Sequence, residues 1–206
     1  MHSNQVAAAC KRIIDLAGAL IVLAVVWPGM LLVALTIWLT MGKPILFRQM
    51  RPGLGARPFM LVKFRTMTEA LSSTVDPSTD AARLTSVGKV LRRFSLDELP
   101  QLWNVLRGEM SLVGPRPLLM EYLSQYTPEQ ARRHLMKPGI TGLTQVKGRN
   151  AITWEQKFHW DIWYIDHWSL WLDFRILWAT IERVIRREGI SQQGHATMEK
   201  FGVERR

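Results

Sequence analysis

A long apolar segment near the N-terminus limits what this chain can fold into more than any other feature. Between Ile13 and Gly42 the only charged residue is Asp15. A run of about 30 apolar residues is long enough to enter or cross the hydrocarbon core of a bilayer. It follows Lys11 and Arg12 as a signal peptide would, but it contains no convincing small-residue cleavage site. We therefore expect the segment to be retained.

Two topologies are open to this segment: a helix that crosses the bilayer, and a re-entrant helix that returns to the same side. Pro28 lies in the middle, and proline removes a backbone hydrogen bond and bends a helix. Each half would be about 22 Å long, shorter than the hydrocarbon core of ~30 Å. Basic residues flank both ends, and the positive-inside rule then favours the cytoplasm for both. They are Lys11, Arg12, Lys43, Arg48, Arg51, Arg57, Lys63 and Arg65. The residues alone leave both topologies open.

The charge balance indicates an anionic partner. Lys and Arg number 27 against 17 acidic residues, a formal net charge of +10. This suits nucleic acid, an acidic membrane surface or phosphorylated substrates. No recognised nucleic-acid-binding motif is present, which argues against the first of these. Cys10 is the single cysteine, which excludes an internal disulfide and fits a reducing compartment.

The rest of the chain predicts an α+β fold that is mostly helical with a small sheet. Two short strands are expected at Ile45–Met50 and Phe59–Phe64, joined by a turn at residues 51–55. Residues 72–80 and the glycine-rich residues 137–150 are expected to be loops.

Four segments carry helical periodicity or helix-boundary signals. They are residues 84–94, Ser95–Gly108, a helix that begins at Thr127, and Ser169–Arg187. Thr127 is followed by Pro128 and by Gln130, which are placed for a first helical residue and a capping box. The last helix is amphipathic and suits either the core or a membrane surface. Six of the nine tryptophans lie between Trp154 and Trp178, and tryptophan favours membrane interfaces as well as cores.

Asp97 and Glu98 form the first candidate for chemistry. Ser95 and Glu98 satisfy the S-x-x-E pattern of a capping box, and the helix dipole also favours an acid here. A carboxylate beside Arg92 and Arg93 should also stay ionised and could attack phosphorus. A second carboxylate beside it could help to hold a divalent cation. The two interpretations are compatible.

Three basic motifs could bind phosphate, although each could equally be a turn or a solvated surface. In GPRP, two prolines stiffen the backbone around Arg116, whose guanidinium offers a planar fork. In VKGRN, glycine lets the backbone approach a phosphate while Lys147 and Arg149 supply charge. In KFRTM, Lys63 and Arg65 alternate along a strand and should share one face.

Taken in order, these motifs resemble those of a known family. RPGLGARPFMLVKFRTM, SLDELPQLWNVLRGEMSLVGPRP and PGITGLTQVKGRNAITWEQKF look like the bacterial sugar transferases. More narrowly, they resemble the small monotopic phosphoglycosyl transferases, typified by the bacillosamine phosphotransferase of bacterial N-glycosylation. The likeness extends over almost the whole chain, to GHATMEKF at residues 194–201.

The resemblance implies a division of the chain at about residue 42. Residues 1–42 would form a re-entrant membrane helix, a helix-break-helix with the break at Pro28. Residues 43–206 would form a catalytic domain at the cytosolic face, with a short β-hairpin and amphipathic interfacial helices. The family often has serine before the proline, where this chain has Trp27.

The resemblance also implies a reaction. A sugar-1-phosphate would pass from a UDP-sugar to undecaprenyl phosphate with release of UMP, as the first membrane step of a surface glycan or glycoprotein glycan. Asp97 would be the nucleophile and, with Glu98, would bind the cofactor Mg²⁺. The expected substrate contacts are Lys63, Arg92, Arg116, Arg149 and Asp161.

The implied setting is the cytoplasmic face of the bacterial inner membrane. The partners would be the two substrates, the phospholipid bilayer and downstream glycosyltransferases, with no nucleic acid. The alternatives are a non-catalytic, basic membrane-anchored scaffold and a membrane-anchored nucleic-acid-binding module.

Overall fold

The computed structural model describes residues 2–68, 83–148, 152–186 and 201–202. These residues are mostly helical with two small two-stranded sheets, which confirms the mostly helical α+β class. The helices are α1 (His2–Met41), α2 (Ser86–Arg93), α3 (Gln101–Arg107), α4 (Pro128–Ala131), α5 (Leu143–Lys147), α6 (Trp154–Asp166) and α7 (Leu170–Arg186). The strands are β1 (Leu46–Pro52), β2 (Pro58–Phe64), β3 (Ser111–Val113) and β4 (Gly139–Thr141).

The apolar segment forms α1. Its stretch Val6–Met41 has a mean hydropathy of 2.6 and is long and apolar enough to cross a membrane, judged by length and composition. The helix continues through Pro28 without a break, so the structure does not show the expected helix-break-helix. Large apolar side chains such as Val25 and Leu39 are mostly exposed along it.

The beginning of α1 is bonded to the rest of the protein through its charged residues. Lys11 Nζ lies 2.6 Å from a carboxylate oxygen of Asp173 in α7. Arg12 donates to the carbonyl oxygen of Val105, near the end of α3, at 2.6 Å. Asp15, only 4% exposed, accepts a hydrogen bond from the backbone N–H of Leu112 in β3 at 2.9 Å.

The end of α1 is bonded to the same folded unit. Arg65, buried just after β2, donates to the carbonyl oxygens of Met41 and Gly42. Nearby, Ile37 packs in an apolar cluster with Phe64 and Leu91. Both ends of α1 therefore contact one body of protein.

The predicted β-hairpin is confirmed. Strands β1 and β2 pair antiparallel, with Leu46 opposite Phe64 and Pro52 opposite Pro58. A short 3-10 turn joins them, and Gly55 in this turn has a φ of 60°, in the region that favours glycine.

The expectation of an irregular loop over residues 137–150 is wrong for much of that segment. It contains β4, which pairs parallel to β3, and then α5. The pairing partner is distant in sequence, so local glycine content gave a misleading signal. The glycines are there because the backbones approach closely: a Cβ on Gly139 would lie 2.1 Å from the Gly114 nitrogen.

The predicted helix Ser169–Arg187 is confirmed as α7. One side of it packs in the core through buried Ile176, while five large apolar residues on the other side are about half exposed or more. These are Trp171, Phe174, Trp178, Ile181 and Ile185, and we call them the α7 stripe. A stripe of this kind favours a surface-lying amphipathic helix over a fully buried one. The predicted loop at residues 72–80 lies outside the described residues.

Candidate active site

The two adjacent acids lie in a tight turn. We expected one helix over Ser95–Gly108, opened by a capping box, and this expectation is wrong at its start. Leu96–Glu98 form a single 3-10 turn, and the α-helix begins only at Gln101. Ser95 adopts the left-handed conformation (φ 55°, ψ 23°) and its side chain makes no capping hydrogen bond. Gly108 ends the helix as predicted, with φ 82°.

Asn104 joins the helix that follows this turn to the hairpin. Its side chain is fully buried in α3, where the amide donates to the Met60 carbonyl oxygen at 2.7 Å and accepts from the Val62 N–H at 3.3 Å. Lys63, the next-to-last residue of β2, lies close enough to Asp97 for the carboxylate to oppose the lowering of the Lys63 pKa. A buried polar side chain with both ends satisfied gives a specific position to the elements that it joins.

Three cations surround the two acids, and each comes from a different segment. Arg116 Nη2 lies 2.5 Å from Glu98 Oε1. Lys63 and Arg92 lie close enough to Asp97 to oppose the rise of its pKa. Arg92 is oriented by a hydrogen bond of 3.1 Å from its Nε to the Thr66 hydroxyl. The structure thus brings together five of the seven predicted site residues.

Burial and the neighbouring cations shift the pKa of Asp97 in opposite directions. Asp97 is only 5% exposed, and its burial, followed by the negative charge of Glu98, raises its pKa above the ordinary value of 3.8. Lys63, Arg92 and Arg116 act in the other direction. The expectation that nearby cations and the helix N-terminus keep Asp97 ionised therefore omitted burial, which has the largest effect on its pKa. Burial also lowers the pKa of Lys63, and Glu98 raises that of Arg116.

Asp161 does not join the acids. It is 3% exposed in α6 and pairs with Arg133, whose Nη2 lies 2.7 Å from its carboxylate. The same Nη2 donates to the carbonyl oxygen of Arg116 at 2.7 Å. Asp161 is therefore linked to the acids through Arg133 and Arg116 in turn. Arg149, the remaining predicted residue, lies outside the described residues.

Sequence reasoning missed three cations near the Arg116 loop: Arg51, Arg133 and Lys157. Burial and the charge of Arg116 lower the pKa of Arg51 to about 10 and that of Lys157 to about 8. Arg51 and Lys157 lie within the quoted family motifs, but nothing in the sequence showed that they approach Arg116, so their place at the site comes from the tertiary structure.

The acids offer a small donor set for a metal ion. Within the described part of the chain, no three His, Cys, Asp or Glu residues converge on one point. Mg²⁺ is usually held by one or two carboxylates together with substrate phosphates and water. The pair Asp97 and Glu98 fits a cation bound jointly by protein and substrate, and it does not fit a cage made only of protein ligands.

Comparison with known proteins finds matches among the bacterial sugar transferases. The sequence model of the bacterial sugar transferase family matches residues 6–187. An uncharacterized sugar transferase, EpsL, of Bacillus subtilis (strain 168) is 51% identical over 191 residues, covering 93% of this chain and 95% of that protein.

Two relatives with more specific names are longer. The UDP-glucose:undecaprenyl-phosphate glucose-1-phosphate transferase of Caulobacter vibrioides is 44% identical over 85% of this chain and 69% of its own length. The UDP-galactose-lipid carrier transferase of Erwinia amylovora is 40% identical over 87% of this chain, but the match spans only 41% of that protein.

Proposed function

Because the chain belongs to the bacterial sugar transferase family, we propose that it moves a sugar-1-phosphate from a UDP-sugar to undecaprenyl phosphate and releases UMP. The observation that carries this proposal is the pair Asp97 and Glu98 in a buried turn, faced by cations from three separate segments. An acid surrounded by phosphate-binding groups is suited to phosphoryl transfer, where positioning and charge stabilisation supply most of the catalysis. The name of the Caulobacter relative includes a UDP-sugar and undecaprenyl phosphate, and that of the Erwinia relative includes a UDP-sugar and a lipid carrier, which supports this pair of substrates.

Asp97 is the nucleophile in this proposal. Its carboxylate oxygen attacks the phosphorus that bears the sugar, the bond from that phosphorus to the UMP oxygen breaks, and UMP leaves with the electron pair. A phosphate oxygen of undecaprenyl phosphate then attacks the same phosphorus and breaks its bond to Asp97. The product is undecaprenyl diphosphate-sugar, and the free carboxylate is restored. Two steps let a soluble and a lipid substrate use one site in turn.

The surrounding cations serve the phosphates. Arg116 presents a fork that binds Glu98 in the free protein and can bind phosphate oxygens in the complex. Lys63 and Arg92 lie on the Asp97 side, where they favour its ionised form and offset charge on the transferring group. Arg149 is proposed as a further phosphate contact on the resemblance alone.

Mg²⁺ is the proposed cofactor, held by Asp97, Glu98 and the substrate diphosphate. When bound, it would neutralise charge that develops on the leaving UMP. Excess chelator should abolish turnover and added Mg²⁺ should restore it, whereas full turnover in chelator would remove the metal from the proposal.

The proposed topology of α1 is re-entrant, bent near Pro28, at the cytoplasmic face of the bacterial inner membrane. Its support is that Lys11 and Arg12 at one end, and Met41 and Gly42 at the other, bond to the same folded unit. A folded unit that holds both ends places both on one side of a bilayer. The α7 stripe would lie in the membrane interface.

Topology can be tested with single cysteines. Val6→Cys and Lys43→Cys, each in a Cys10→Ser background, should both resist a membrane-impermeant thiol reagent in intact cells. Labelling of one position and not the other would establish a spanning helix.

Activity is tested by UMP release over a panel of UDP-sugars, with undecaprenyl phosphate as acceptor. UDP-glucose and UDP-galactose come first because these two UDP-sugars appear in the names of the Caulobacter and Erwinia relatives. Without acceptor, intact-protein mass spectrometry should detect a sugar-phosphate on Asp97. An enzyme of this kind would begin a surface glycan that downstream glycosyltransferases extend. No UMP release from any UDP-sugar would favour a non-catalytic scaffold.

A further inference from the structure

Arg133 and Asp161 form a buried pair beneath the loop that carries Arg116. We propose that Arg133, oriented by Asp161, is a positioning residue that sets where the Arg116 guanidinium meets Glu98. Asp161 then acts through Arg133 and Arg116, and it does not itself contact the substrate. This inference rests on the proposed function for its catalytic consequence, but its structural part can be tested separately.

The first support is that one guanidinium joins two elements. Arg133 Nη2 lies 2.7 Å from the Asp161 carboxylate in α6 and 2.7 Å from the Arg116 carbonyl oxygen. Both are short hydrogen bonds with a charged donor, which are stronger than neutral ones. Arg133 thereby connects the backbone of Arg116 directly to α6.

The second support is how completely this pair is enclosed. The side chains of Arg133 and Asp161 are 2% and 4% exposed. The guanidinium lies 5.7 Å from the ring centroid of Phe158 and 6.0 Å from that of Tyr126, and the Thr144 hydroxyl lies 3.4 Å from Asp161. Removing two charges from water is costly, and apolar residues of similar volume often serve stability as well. Stability alone is therefore a weak reason for this pair.

The third support is the state of Arg116 itself. Its side chain is 48% exposed and is held at its tip by Glu98, at 2.5 Å. Because only the tip of the side chain is held, the position of the guanidinium also depends on how firmly the Arg116 backbone is fixed. The neighbouring backbone is fixed by bonds from Gly114 N to the Thr141 oxygen (2.9 Å) and from Gly139 N to the Pro115 oxygen (3.0 Å). Arg133 holds the next carbonyl along, which is that of Arg116 itself.

Two variants separate positioning from folding. Arg133→Lys keeps the charge, but the shorter lysine side chain does not place a nitrogen where Arg133 Nη2 donates to both the Asp161 carboxylate and the Arg116 carbonyl oxygen. The double variant Arg133→Met/Asp161→Leu removes both charges together, so no unpaired buried charge remains. Arg132→Lys is the neighbouring control, because Arg132 forms exposed ion pairs with Glu129 and Asp166. Asp173→Asn is the control for destabilisation, because it weakens another buried pair, Lys11–Asp173.

The catalytic measurement is UMP release with whichever of UDP-glucose and UDP-galactose the wild type uses. Both Arg133 variants should lose about 100-fold in kcat/KM, as expected for a displaced catalytic group. In an Arg116→Lys background, Arg133→Lys should cost far less, since residues that act through one another are not additive. If the variants lose no more activity than Asp173→Asn at an equal loss of Tm, or if their effects are additive with Arg116→Lys, the inference is overturned.

The structural measurement needs no activity. Hydrogen exchange of peptides covering residues 114–119 should become faster in both Arg133 variants than in Asp173→Asn, and stay unchanged in Arg132→Lys. Unchanged exchange in the Arg133 variants would overturn the inference even if the enzyme is active. A wild type that releases no UMP, combined with faster exchange in the Arg133 variants, would refute the proposed function and leave the positioning role standing.

Discussion

Two turns in this protein carry the same sequence signal and fold differently. Ser95 and Glu98 match the capping-box pattern, as do Thr153 and Gln156 at the start of α6. At α6 the box forms: the Gln156 N–H donates to the Thr153 hydroxyl at 3.2 Å, and the Gln156 amide oxygen accepts from the Thr153 N–H at 3.1 Å. At Ser95 the backbone is left-handed and no such bond exists.

The difference lies in the hydrogen-bond partner of the last residue of each pattern, which is Gln156 at α6 and Glu98 at the acidic turn. Gln156 is exposed, so its amide is left to satisfy the helix end. The carboxylate of Glu98 instead binds Arg116, which arrives from a segment 18 residues away. The ion pair joins two charged groups, whereas a cap would join the Glu98 carboxylate to a neutral backbone N–H, so the tertiary contact prevails over the local one. The turn at Ser95 therefore lacks a capping box, and its two acids lie beside cations instead.

The largest effect should come from removing the nucleophile. Asp97→Asn should lower turnover by at least about 10⁴-fold, as loss of a nucleophile does in other enzymes, measured as lipid-linked product. It should also raise Tm. The pKa of Asp97 is raised on folding, so the folded state binds more protons than the unfolded state, and stability due to this group falls as pH rises through the shifted pKa.

The control for Asp97→Asn is Glu155→Gln, which neutralises an acid in the first turn of α6. That acid is favoured by the helix dipole, so its loss should slightly lower Tm and leave turnover unchanged. A fall in Tm for Asp97→Asn would show that this acid stabilises the fold after all.

Glu98→Gln separates the two interpretations of this residue. A capping box accepts glutamine as readily as glutamate, so a capping role predicts no change. An ion-pair role predicts loss of the hold on Arg116 and a fall in kcat/KM of about 100-fold, comparable to the loss of one catalytic electrostatic contact. Wild-type activity in Glu98→Gln would mean that the Glu98–Arg116 ion pair is not needed for catalysis, and that Glu98 serves only the local structure, as Gln156 does.

The pH profile should report the raised pKa of Asp97. The ionised carboxylate is required for attack, so kcat/KM should fall as pH is lowered through that pKa, tenfold per pH unit below it. The acid limb should therefore lie above the ordinary value of 3.8. Because Lys63 opposes the rise, Lys63→Met should move this limb to higher pH. If the acid side of the pH profile does not move in Lys63→Met, Lys63 does not influence the pKa of Asp97.

The sequence predicted those parts of the structure that depend on local signals. The hairpin β1–β2 follows from two alternating runs around a glycine turn, and α7 follows from its apolar periodicity. The capping box at Thr127 formed with Gln130, as predicted. In each case the stabilising partner lies a few residues away or on the same face.

The rest depends on contacts between distant residues. Strand β4 exists because it pairs with β3, and Arg133 matters because it meets Arg116 and α6. The family resemblance indicated the acids and most of their cations without indicating how they are held. It placed Asp161 among the substrate contacts, and the structure shows that Asp161 pairs with Arg133, which in turn donates to the Arg116 carbonyl oxygen.

The smallest predicted effect compares the two turns directly. Thr153→Ala removes a formed cap and should cost about 1 kcal/mol in the free energy of unfolding, or a fall in Tm of about 2–4 °C for a chain of this size. Ser95→Ala removes a hydroxyl that makes no capping hydrogen bond and keeps a Cβ in the same left-handed backbone, so its cost should stay within about 0.5 kcal/mol. Neither variant touches Glu98, so UMP release by both should match the wild type once the protein is folded. Thermal unfolding of the two variants side by side measures the difference. Equal losses of Tm would mean that Ser95 caps the turn in solution, and the contrast between the two helix starts would then disappear.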